Sequence, residues 1–148
     1  MTSPLTAPTT DAERAVHDAV TSGGIQVVVF WAPWCGNSIS QLERNLAGVI
    51  RDNDDVGFTF VSLWAAGDDG RAVLAEHGIP ERAAVVAQPG VGQDAPKDDR
   101  DMTFLSLPVT WIPTTWVFRD GLLATAFNYG EVTRSQLQDA LDGARSSW

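Results

Sequence analysis

Cysteine occurs once in this 148-residue sequence. A single thiol excludes an intramolecular disulfide, and it excludes a structural zinc site built from several thiolates. Cationic side chains are scarce: Lys and Arg total 10 against 19 Asp and Glu, a formal charge of −9. Such a surface repels nucleic acid and anionic membrane, so neither is expected as a partner. No apolar run approaches the roughly 18–20 residues that cross a bilayer. Met1 to Pro8 lacks the basic and apolar regions of a signal peptide, so a cytoplasmic location is expected. Neither a phosphate-binding glycine loop nor a G-x-S-x-G elbow is present. The two histidines, His17 and His77, have no ligand spacing to each other or to Cys35 and read as surface helix residues. The tract Asp94 to Asp101 lacks the spacing and glycine of a calcium loop and reads as solvated loop. No metal or bound cofactor is expected.

The length suits one domain over residues 1–148, large enough to bury a core without staples, with residues 1–9 expected to be flexible. Thr10 and Glu13 have capping-box spacing, and Ala15, Val16 and Val20 form the apolar side of a first helix ended by Gly23-Gly24. Ile25 to Phe30 is nearly continuous in apolar residues, as in a strand buried on both faces. Ile39, Leu42, Leu46, Val49 and Ile50 then recur at helical spacing, with Gln41, Glu43, Arg44 and Asn45 on the other side. Phe58 to Trp64 reads as a second core strand. A helix from Gly67–Gly70 follows, with Val73 and Leu74 inward and Gly78 as its C-cap.

Residues 80–107 are a variable region: a short strand at Ala83 to Ala87, a loop, and a stretch from Asp101 to Leu107 that admits a short helix. Thr114 to Phe118 and Leu122 to Phe127, joined at Asp120-Gly121, form a hairpin. Thr133 caps a last helix with Leu137 and Leu141 inward.

Cys35 lies in Trp31-Ala32-Pro33-Trp34-Cys35-Gly36-Asn37-Ser38, between a strand and a helix. Unpaired amides and the macrodipole at a helix start favour an anion, so the thiolate is expected to form more easily than in free cysteine. The competing reading of Cys35 is a buried, inert small hydrophobe.

Phe30 to Gly36, together with Ile112-Pro113-Thr114-Thr115 and the tail pattern Phe118-Arg119-Asp120-Gly121, resemble the thioredoxin-fold family over most of the chain. The resemblance implies an α/β fold, a central mixed β-sheet flanked by helices, with Pro113 cis and against Cys35. It implies that Ile112 offers its backbone to an extended substrate. Trp34, Gly36, Asn37, Ile112 and Pro113 are then the substrate-binding residues, and Cys35 and Ser38 the catalytic ones. Trp31 is expected in the core, and Trp111 either lines the same groove or packs. An added helix and strand before Pro113 is similar to thioredoxin-like proteins of cytochrome maturation and the wider peroxiredoxin-related group. Peroxidase chemistry is disfavoured because no threonine precedes Cys35 within its turn.

Two departures bear on chemistry. Ser38 stands where the family has a second cysteine and cannot resolve a mixed disulfide. Val29 stands where the family commonly has a buried acid. What these departures leave is a monothiol route. Cys35 forms mixed disulfides with protein or glutathione disulfides and is released by an external thiol such as glutathione, with Ser38 donating a hydrogen bond to the sulfur. Two alternatives stand beside it: a non-catalytic binding module using the same groove, or a dithiol oxidoreductase whose resolving cysteine at position 38 was replaced by serine.

Overall fold

The computed structural model describes residues 7–44, 46–128 and 130–146. Residues 1–6 and Asn45 lie outside them, so the expected flexible start and the outward side of Asn45 apply there only as expectations.

Helix α1, Asp11–Thr21, starts on Thr10, whose side chain accepts from the Glu13 amide. Strand β1, Ile25–Trp31, enters a five-stranded sheet with β2 Val56–Ser62, β3 Ala84–Ala87, β6 Thr114–Arg119 and β7 Leu122–Phe127. The order is β3-β2-β1-β6-β7. β1 runs parallel to β2 and antiparallel to β6, so the sheet is mixed and β1 is central, as the apolar run predicts.

Alternation along β1 divides the core. Val27, Val29 and Trp31 join the apolar sides of α2 Gly36–Glu43, α3 Leu46–Asp52 and α5 Arg134–Arg145. Val28, Phe30 and Ala32 join α1 and a small hairpin, β4 Thr103–Phe104 and β5 Leu107–Pro108. Helix α4, Arg71–Glu76, begins after Gly70 and ends before Gly78, which has the positive φ of a left-handed C-terminal residue. Gly70 has φ +65, and a Cβ there would lie 2.4 Å from the Trp31 ring, so that position requires glycine on two counts.

Three expectations are corrected. The helix predicted across Ile39 to Ile50 is two helices, α2 and α3, because Arg44 leaves helical geometry at φ −80, ψ 27. Gln41 is not on an outer polar side: it is 3 % exposed and pairs with the backbone of Val132. The stretch from Asp101 to Leu107 forms the β4–β5 hairpin instead of a helix, turning on Leu105 and Ser106 at φ 50 and 64. Just before α1, the Thr9 amide and hydroxyl donate to Glu13 Oε1 at 2.8 and 2.7 Å.

Candidate active site

The turn after β1 presents the thiol. Cys35 N donates to Ala32 O at 3.1 Å, closing the turn, and Cys35 O accepts from Ile39 N at 3.0 Å, opening α2. Cys35 is the N-cap of α2 at φ −90, ψ 119, and its side chain makes no capping bond. The sulfur is therefore left over by the local structure. It is half-buried and lies 4.0 Å from the carbonyl oxygen of Ile112. The Ile112–Pro113 peptide bond is cis.

Ser38, one turn into α2, is 1 % exposed, and its Oγ accepts from Ala32 N at 3.2 Å. The expected Ser38–Cys35 hydrogen bond is not among those of the described residues. The hydroxyl instead ties the helix to the turn that carries the cysteine. Val29 is 1 % exposed among apolar side chains, so no carboxylate occupies that position beneath the turn.

An open cleft of about 290 Å³ lies beside the sulfur. Of the predicted site residues, Trp34, Cys35, Asn37 and Ile112 line it, and Trp111 joins them. Trp111 is 46 % exposed, which decides for the groove over packing. Gly36 is exposed next to the thiol, and Pro113 is buried; neither lines the cleft. His17 lies on α1 and His77 at the end of α4, and neither lines it.

Sequence reasoning missed the far wall: Trp64, Lys97, Arg100, Met102 and Thr110. Trp64 was expected only as the end of a core strand. Its backbone adopts φ 55, and its carbonyl accepts from Trp34 Nε1 at 2.8 Å. Trp64 Nε1 in turn donates to Asp101 O at 3.1 Å. The Arg100 guanidinium lies over both rings, 5.4 Å from the Trp34 centroid and 5.1 Å from that of Trp64. A cation over two aromatic faces is attracted by both quadrupoles. These contacts fold part of the Asp94 to Asp101 tract against the site. The signal available in the sequence was the pair of cations inside an otherwise acidic run.

Glu13 supports the same region from α1. It is 6 % exposed, and Oε2 accepts from Leu105 N at 2.6 Å, so α1 holds the turn of the β4–β5 hairpin. Burial works to raise its pKa, but the hydrogen bonds from Leu105, Thr9 and Thr10 outweigh it and hold the carboxyl below the usual glutamate range.

No family model matches the chain, and no curated protein matches it. Solved structures do. One is a secreted Mycobacterium tuberculosis disulfide oxidoreductase homologous to E. coli DsbE, at 18% identity and TM-score 0.60 over 85% of each chain. A thiol:disulfide interchange protein of the thioredoxin family from Chlorobium tepidum has 16% identity and TM-score 0.59, over 86% of this chain and 83% of that one. A thio-disulfide isomerase from Thermus thermophilus has 26% identity and TM-score 0.53, over 83% and 80%. With the mixed sheet and flanking helices, these likenesses show a thioredoxin fold.

Proposed function

We propose that this chain performs thiol–disulfide exchange by a monothiol route centred on Cys35. The observation that carries the reading is the half-exposed sulfur at the start of α2, in an open cleft and beside the Ile112 carbonyl, with the buried Ser38 three positions on. The structures that share the fold include a disulfide oxidoreductase and a thiol:disulfide interchange protein, which supports the same class of chemistry.

The Cys35 thiolate attacks one sulfur of a protein or low-molecular-weight disulfide; the Cys35–substrate bond forms, and the other sulfur leaves as a thiolate that takes a proton from water. Ser38 cannot attack that mixed disulfide. An external thiolate such as glutathione does so, forming a bond to the substrate sulfur and returning Cys35. No net electrons pass to the chain over the cycle. Trp34, Asn37 and Trp111 contact the bound partner from their places in the cleft, and Ile112 supports it beside the sulfur.

Intact mass after incubation of the native chain with oxidised glutathione tests this. One glutathionyl group on Cys35, removed by reduced glutathione and absent in C35S, is expected. Modification only of the unfolded chain would overturn the exchange reading and leave the cleft as a binding groove.

A further inference from the structure

The cleft beside the thiol is cationic on an acidic molecule. Lys97 is the sole lysine in the sequence, and it lines this cleft with Arg100. Elsewhere five arginines pair with carboxylates, Arg14 with Asp11, Arg44 with Glu131, Arg71 with Asp69, Arg134 with Asp52, and Arg145 with Asp55, while Arg51 and Arg82 spend their donors on backbone carbonyls. Among the described residues, neither Arg100 nor Lys97 has such a partner. Arg100 donates from Nη2 to Gln93 O at 3.5 Å, and its Nε is buried with no acceptor. Asp98 and Asp99 share the Lys97 turn but do not line the cleft. Asp101 accepts instead from the Thr103 amide and hydroxyl.

A guanidinium held over two indole rings is kept in place without a counter-charge, and it retains donors for one. Lys97 lines the same cleft. The space is at the small end for a ligand site, enough for the part of a molecule next to a reacting sulfur. We propose that the cleft selects small disulfides carrying a carboxylate near the sulfur, with Arg100 and Lys97 receiving that carboxylate while Cys35 exchanges. This rests on the exchange reading and adds its substrate class. The net charge makes the sign diagnostic, because the molecule as a whole repels anionic disulfides.

The test compares oxidised glutathione with the disulfide of glutathione ethyl ester, which lacks the glycine carboxylate charge. The neutral 4,4′-dithiodipyridine reports thiol reactivity alone. The native chain is expected to react about tenfold faster with the acid than with the ester. R100Q and K97Q are each expected to reduce that ratio, the double variant to abolish it, and R100K to retain most of it. Rates with dithiodipyridine report any change in the thiol itself, which cancels from the acid-to-ester ratio. Among the described residues the cation over the two indoles is Arg100 and not Lys97, so K97Q removes a charge from the cleft and leaves that stack in place. An ester reacting as fast as the acid, or a preference that survives in the double variant, overturns the proposal while leaving exchange intact. Failure to react with dithiodipyridine overturns both.

Discussion

Gln41 pairs with Val132 as one peptide group pairs with another: Nε2 donates to the Val132 carbonyl at 2.9 Å, and Oε1 accepts from the Val132 amide at 2.6 Å. Both residues are buried, so water cannot substitute for either bond. The pair joins α2, which carries Cys35 at its start, to the segment before α5. Q41L strands a buried donor and a buried acceptor and is expected to cost about 2–4 kcal/mol by urea denaturation. Thiol labelling of the folded variant is expected to show faster opening around Cys35.

Glu13 makes stability depend on acid. Its folded carboxyl titrates lower than in the unfolded chain, because the Leu105, Thr9 and Thr10 bonds overcome burial. The contribution is therefore complete above the unfolded glutamate value of about 4.3 and is lost as pH falls through the lower folded value. E13Q is expected to lose about 1–2 kcal/mol at pH 7. The gap between the native chain and E13Q should narrow below pH 4 in denaturation curves taken across that range.

Ser38 occupies the third helical position after Cys35, where a second sulfur is within disulfide reach. S38C is expected to form an intramolecular disulfide with oxidised glutathione, read as a loss of two hydrogens by intact mass. With dithiothreitol as electron donor it should then reduce insulin faster than the native chain, because the second thiol releases the mixed disulfide from within. Loss of the Ala32–Ser38 bond is expected to lower stability by about 1 kcal/mol. If S38C remains a free dithiol under these conditions, the turn does not bring the two positions together.

Two glycines near the site should respond in opposite directions. G70A places a methyl against the Trp31 ring at a positive φ, and at least about 2 kcal/mol of destabilisation is expected. G36A meets nothing within 4 Å in the first turn of α2 and is expected to be neutral or to stabilise by up to about 1 kcal/mol. Thermal unfolding of the two variants side by side checks both.

The strands of the five-stranded sheet were legible because their signals are local. The apolar run of β1 and the Asp120-Gly121 turn, with φ of 50 and 83, announce themselves within a few residues. The α2–α3 break was not legible, since Leu42, Leu46 and Val49 keep helical spacing across it. Gln41 looked solvent-facing because its partner lies 91 positions away. The β4–β5 hairpin was hidden because its turn uses Leu105 and Ser106 at positive φ, where sequence rules expect glycine or asparagine. At the site, Cys35, Trp34 and Ile112 come from motifs. Trp64 and Arg100 enter by tertiary packing that no short motif encodes.

The alternation of β1 has a consequence for how the thiol is addressed. Each residue from Ile25 to Phe30 is matched to a neighbour on both sides, Val27 with Phe58 and Val117, Phe30 with Val61 and Thr114. A slip of one position would turn Trp31 to the α1 side, send Phe30 toward α3, and carry Cys35 about 3.3 Å along the strand axis from the Ile112 carbonyl. The reactive sulfur is thus positioned by the six residues behind it, each matched on two sides, as the tip of a key is positioned by its teeth.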